Sequence, residues 1–255
     1  MPPRSSEAFV LDAVALRERD KLVTLFTETE GKVRGVAHGA ARSVKRFGGR
    51  LERLSRVKVS YFEKEGQDLV RLDDLELIEE SFRLQQDLVV AAALAYVSEV
   101  AGEFVREKES DQRYYRLLGA TLDAFRAGVE AAVGLRYFEF WTARLHGIFP
   151  DLEACDLCRA AFTGSGARVL LADGTGMCSK CARGAGGRSL PLSRSALTVI
   201  EAFRRSKPSA LLGVVFPKPA LREVEAAAGG ALVSFTGRPF RSSEFLRQVL
   251  PEGAR

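Results

Sequence analysis

The sequence predicts an α+β chain of several parts: a small closed barrel of five β-strands, followed by a mainly α-helical region that carries a four-cysteine module. Three observations predict it. Residues 7–80 hold five short segments rich in Val, Leu and Phe. From Ser81 onward the composition turns to Ala- and Glu-rich stretches with apolar residues at helical spacing. Two Cys-x-x-Cys pairs stand nineteen residues apart among those stretches.

The strand segments are EAFVLDAVAL (7–16), KLVTLFTET (21–29), KVRGVAH (32–38), LSRVKVSYFE (54–63) and DLVRLDDLELIE (68–79). In KVSYFE and VRLDDLEL, apolar and polar residues roughly alternate, as a half-buried strand requires. Glu30-Gly31 and Glu65-Gly66 supply turns. Five strands in about 75 residues suit a closed barrel, and the oligonucleotide-binding (OB) barrel is the commonest five-stranded form. The cationic stretch GAARSVKRFGGR (39–50) falls in the long connection between the third and fourth strands, where functional loops concentrate.

The first helix is expected over SFRLQQDLVVAAALAYVSEVAGEFVRE (81–107). A second begins at Asp111, with Tyr114, Tyr115, Leu117, Leu118, Leu122 and Phe125 on one face. A third, VEAAVGLRYFEFWTARLHGIF, ends at Gly147 before Pro150. Its aromatic cluster of Tyr137, Phe138, Phe140 and Trp141 is assigned to the core. Ser193 caps a fourth helix, RSALTVIEAFRRS, which Pro208 closes, and PALREVEAAAG and SSEFLRQVL complete the helical set. The expected division is 1–80 for the barrel, 81–150 and 188–255 for the helical part, and 151–187 for the cysteine module.

CDLC (155–158) and CSKC (178–181) have the spacing of a four-cysteine zinc site. RVLLADGTGM between them can return as a hairpin and set one pair opposite the other. Four thiolates from Cys155, Cys158, Cys178 and Cys181 close a tetrahedral shell with no position for water, so the Zn2+ is structural on this reading. The competing reading is four thiols without a metal.

Charge narrows the function classes. Residues 1–60 hold 13 Lys and Arg against 7 Asp and Glu, residues 61–186 hold 14 against 21, and residues 187–255 hold 11 against 5. Cationic ends around an anionic centre predict a polyanion engaged by chosen surfaces. Lys32 to Lys58 contains nine basic residues and one acidic residue, Glu52. No run of eighteen apolar residues predicts a membrane span, and MPPRSSEAFVLDAV lacks the pattern of a secretion signal, so a cytoplasmic protein is expected. GxxxxGK[ST], HExxH and GxSxG do not occur, and the two histidines are His38 and His146. The reading is therefore of a binding protein and not an enzyme. Asp73, Asp74 and Glu76 as magnesium ligands of a nuclease form a rival, more cheaply explained as a strand's solvent face.

Three segments resemble, in order, the RecO family of bacterial recombination mediators. They are LRERDKLVTLFTETEGKVRGVAHGAARS (16–43), LRYFEFWTARLHGIFPDLEACDLC (135–158) followed by the second Cys-x-x-Cys, and GRPFRSSEFL (237–246). The chain departs from the family at Ser243, where a second basic residue is usual. The resemblance implies an OB barrel followed by a helical domain with a zinc module. It also implies binding of single- and double-stranded DNA, annealing of complementary strands without ATP, and cooperation with RecR. Together the two would load RecA onto DNA covered by single-strand binding protein (SSB), whose acidic, hydrophobic tail is a further implied partner. Arg204, Arg205 and Lys207, or the helical domain, are candidate contacts for that tail.

On this reading the cationic track is Lys32, Arg34, Arg42, Lys45, Arg46, Arg50, Arg53 and Arg56, making phosphate contacts without base readout. Phe47 either stacks on a base or anchors the loop in the core. A sequence-nonspecific RNA-binding protein and a scaffold for an acidic protein stay as alternatives.

Overall fold

The computed structural model describes residues 3–40, 43, 47–63, 66–162 and 166–250. The chain forms two compact units, Met1–Arg116 and Leu117–Arg255.

In the first unit, β1 (Arg4–Ala15), β2 (Lys21–Thr27), β3 (Gly31–Ala37), β4 (Arg56–Phe62) and β5 (Val70–Glu79) close a barrel in the order β1-β2-β3-β5-β4. β4 returns to pair with β1, and β3 and β5 are the parallel pair in an otherwise antiparallel barrel. This is the small Greek-key barrel expected from five closely spaced strands. Alternate residues fill it: Ala8 and Val10 from β1, Val23 and Leu25 from β2, Val57, Val59 and Tyr61 from β4, and Leu72 and Leu75 from β5. Gly35 leaves room for the Leu72 and Val70 side chains where β3 meets β5.

β1 is buried on both faces, which is why EAFVLDAVAL reads as a nearly unbroken apolar run. Its outward Phe9, with Phe26 of β2, meets Tyr115 and Tyr114 at ring-centroid distances of 4.8 and 5.7 Å respectively. The pairing of β1 with β2 slips between Val10 and Asp12, a bulge that adds Leu11 to one strand. The Leu11 carbonyl accepts a 2.5 Å hydrogen bond from Ser98 Oγ of helix α1 (Leu88–Phe104), so the bulge docks that helix. Gly31 has a positive φ of 66°, and a side chain there would collide with the carbonyls of Arg106 and Glu109. The next amide, Lys32 N–H, donates to Arg106 O at 2.8 Å.

The first helix differs from expectation. Phe82–Gln86 is a 3-10 turn, and α1 begins only at Leu88, because the Asp87 carboxylate caps it by accepting from Val89 and Val90 N–H. α2 (Gln112–Arg126) follows as expected from Asp111, whose side chain accepts from Tyr114 N–H at 2.9 Å.

In the second unit, α3 (Ala131–Leu145) is buried nearly all round. Tyr137, Phe138 and Phe140 are core, as expected, with Tyr137 and Phe140 edge-on to Phe203 and Phe149 respectively, whereas Trp141 is half-buried at the core's edge, its Nε1 donating to Phe203 O at 3.1 Å. A three-stranded sheet of β6 (Ala167–Leu170), β7 (Thr175–Met177) and β8 (Ser189–Leu192), in the order β7-β6-β8, flanks the short helix α4 (Ser179–Ala182). β6 and β7 are the expected hairpin, whereas the third strand, SLPL, carries a proline and was not expected.

Next come α5 (Arg194–Arg205), capped by Ser193 as expected, and α6 (Lys218–Val224). The helical path then runs on through a π-helical turn (Glu225–Gly229) into α7 (Gly230–Thr236), and α8 (Ser242–Val249) completes the set. The helix expected over PALREVEAAAG thus extends beyond Gly229. Gly229 and Gly230 keep right-handed helical backbones, with the Glu139 carboxylate beside the first and the Leu171 and Leu190 methyl groups beside the second at ordinary contact distance. Beneath them Arg136, only 2% exposed, pairs with Glu139 at 2.6 Å and Glu225 at 2.5 Å.

Candidate nucleic-acid interface and metal centre

Strand alternation decides which way each barrel cation faces. Val33, Gly35 and Ala37 of β3 turn inward, so Lys32, Arg34 and Val36 share the outer face, about 7 Å between neighbours. Lys32 is opposite Phe26 and Arg34 opposite Thr24 on β2. Arg34 is exposed and makes no ion pair with any described residue.

The other predicted cations are placed differently. Arg56 of β4 is bonded to Glu7 at 2.5 Å, and Arg53 reaches Asp12 at 3.6 Å. A phosphate would have to displace these carboxylates. β5 stands between β3 and β4, so Lys32 and Arg34 belong to one side of the barrel and Arg53 and Arg56 to another. Arg50 is half-buried, while Arg42, Lys45 and Arg46 lie outside the described residues. Phe47 is 3% exposed and stands in the barrel core with Leu51, which decides between its two readings: it anchors the connection from within. Asp74 and Glu76 lie exposed on β5, Glu76 directly across from Lys58 as a charge pair on the sheet surface.

Sequence reading did not bring Arg71, Phe62 and His38 together. Arg71 of β5 pairs with Val36 on one side and Phe62 on the other, so one row crosses three strands on the outer face. His38 follows β3, and its ring is 3.1 Å from the Asp20 carboxylate. Asp20 also accepts from Gly39 N–H at 2.9 Å, and that bond, with the His38 contact, holds its carboxyl below the usual range. Alternation pointed to exposed positions here, but only the sheet order makes them neighbours.

The cysteines converge as their spacing predicts. The four Sγ atoms lie within 4.8 Å of one another, and Cys158 and Cys178 are 3.8 Å apart. Thiolates at 2.3 Å around a tetrahedral centre stand about 3.8 Å apart, so this separation fits a metal shell. Two tight turns bring them there. In the first, Arg159 N–H donates to Cys155 O at 2.8 Å, and Arg159 takes a left-handed φ of 60°. In the second, Cys178 caps α4, its sulfur accepting from Cys181 N–H.

The thiols are strongly perturbed. Burial raises Cys155, but the N–H groups of Cys178, Cys158 and Leu157 outweigh it and bring its thiol down to about 6. Cys181 N–H lowers Cys178, whereas the neighbouring sulfurs of Cys158 and Cys178 push Cys181 up to about 12. Crowded sulfurs cannot all ionise without a cation among them. The donor set, four thiolates with no fifth ligand among the described residues, therefore fits a soft, four-coordinate metal ion in a closed structural site.

The comparisons with known proteins agree with this layout. Residues 1–81 match the family model described as Recombination protein O N terminal, and residues 85–244 match Recombination protein O C terminal. Among curated relatives, the DNA repair protein RecO of Anaeromyxobacter sp. (strain K) is 34% identical over 242 residues, covering 95% of each chain. That of Geobacter sulfurreducens is 34% identical over 252 residues, covering 98% of this chain and 100% of the relative. The RecO of Koribacter versatilis is 41% identical over 155 residues, 61% of this chain and 63% of its own.

Proposed function

The chain belongs to the RecO family of DNA repair and recombination proteins, and from that premise we propose that it is a recombination mediator acting on DNA through its barrel. It binds single- and double-stranded DNA and anneals complementary strands without ATP. With RecR, it helps load RecA onto strands covered by SSB, whose acidic tail it also engages. It works in the cytoplasm, at the nucleoid.

The observation that carries this reading is a closed five-stranded barrel whose β3 presents Lys32 and Arg34 outward and whose β3–β4 connection supplies Arg42, Lys45, Arg46 and Arg50. Annealing requires no covalent chemistry. Two strands repel as polyanions, and cations shared between them lower the barrier to encounter while base edges stay free to pair. Arg53 and Arg56 stand on another side of the barrel and meet phosphates there by giving up Asp12 and Glu7.

The metal is zinc, held by Cys155, Cys158, Cys178 and Cys181 in a structural role. It supplies folding energy to the module and no step of annealing.

The test is annealing of complementary oligonucleotides, each coated with SSB, with no ATP. The expected result is annealing by the wild type and its loss when Arg42, Lys45, Arg46 and Arg50 are changed together to Ala. Absence of annealing by the wild type would overturn the proposal.

A further inference from the structure

The outer-face row Val36–Arg71–Phe62 walls a groove on the barrel that the cationic track does not explain. Its volume is about 620 Å³, and His38, Gln67 and Asp68 complete its rim. Sites for small ligands span about 300–1,000 Å³. The groove thus has room for a base with its sugar, although it is open to solvent and unlike an enzyme's cavity.

Three features point to one kind of occupant. Phe62 is half-buried on the outer side of β4, since Val57, Val59 and Tyr61 take the interior positions. It therefore offers an aromatic surface beside the groove instead of a core contact. Arg71 is exposed, makes no ion pair with any described residue, and stands in register between Val36 and Phe62. Arg34 lies two residues from Val36 on the same face of β3, with Lys32 two further, so a line of cations leads into the groove.

The rim is also fixed in place. Asp20 binds both the His38 ring and the Gly39 amide, and its own carbonyl accepts from Leu16 N–H at 3.0 Å. That ties the β1–β2 connection to the exit of β3. A preformed aromatic surface beside a cationic line is what a single strand with unstacked bases requires; a duplex keeps its bases stacked and offers only phosphates.

The geometry points to a base-stacking subsite for single-stranded nucleic acid. A splayed nucleobase lies against Phe62, its phosphate meets Arg71, and Gln67 and Asp68 face the base edge. This deepens the proposed DNA binding and rests on it. It adds a reason for single strands to be held more tightly than the phosphate track alone would hold them.

Binding of fluorescein-labelled oligo(dT) and of a duplex to the full chain tests the subsite. Phe62→Leu is expected to weaken oligo(dT) binding about tenfold, leave duplex binding unchanged and leave the salt dependence unaltered. Phe62→Tyr, which keeps the ring, is expected to bind as the wild type does. Arg71→Gln is expected to make the slope of log K against log salt shallower by about 0.7 on single strands.

Photocrosslinking of an oligonucleotide carrying 5-iodouracil to the unaltered chain gives a readout that does not depend on a variant folding. The expected crosslinks are to Phe62 or His38. Wild-type affinity in Phe62→Leu, or crosslinks confined to other residues, would overturn the subsite while leaving the phosphate track standing. Failure of the wild type to bind either nucleic acid would overturn both.

Discussion

The barrel and the four-cysteine module are held together in opposite ways. The barrel closes its own backbone hydrogen bonds around a ring of strands and fills the interior with apolar side chains from every strand. The module has strands of three or four residues and a helix of four, too short to be stable alone. Its order converges on four sulfurs that lie within 4.8 Å of one another. One region carries its stability in a core, and the other, on the proposed reading, delegates it to a metal ion.

The largest expected effect breaks the module and spares the barrel. A structural zinc site contributes on the order of 10 kcal/mol. Chelation, or Cys155→Ala, is therefore expected to expose residues 151–187 to limited proteolysis and to release about one metal per chain. Binding of oligo(dT) is expected to survive. An unaltered digestion pattern after complete metal removal would show that the module stands without its ion.

The converse substitution attacks the barrel core. Phe47→Ala removes a buried ring that ties the β3–β4 connection inside, at a cost of about 3–5 kcal/mol. Loss of thermal stability with unchanged metal content is the expected pattern, and a variant as stable as the wild type would place Phe47 outside the core in solution. Smaller still is Asp87→Ala. It removes the side chain that caps α1 and is expected to cost about 1 kcal/mol in urea unfolding, without altering DNA binding or metal content.

The smallest effect on stability is at Arg34, where replacement by Gln is expected to leave unfolding unchanged. Single-strand binding would weaken for every sequence alike, with the salt slope shallower by about 0.7. A loss confined to particular sequences would mean that Arg34 reads bases.

The same contrast explains what was legible in the sequence. All five strands could be read, the first from a nearly unbroken apolar run and the fourth and fifth from apolar alternation, with turn residues between segments. The cysteine cluster could be read because metal geometry constrains spacing directly. Sheet order could not be read: the parallel pairing of β3 with β5 joins distant residues, and it brings Val36 beside the Arg71–Phe62 pair of β5 and β4.

A charge count reports sign but not partner, so Arg53 and Arg56 read as part of an open track although Asp12 and Glu7 face them. Phe47 among arginines suits a core or a ligand equally well until the barrel is closed around it.

The most direct test of DNA binding through barrel cations is the salt dependence of oligo(dT) affinity in the full chain. Five phosphate contacts predict a slope of log K against log salt near about −3.5. That slope should persist after chelation and become shallower when Arg42, Lys45, Arg46 and Arg50 are changed together to Ala. A slope near zero, or one abolished by metal removal alone, would contradict a barrel that grips phosphates independently of the module.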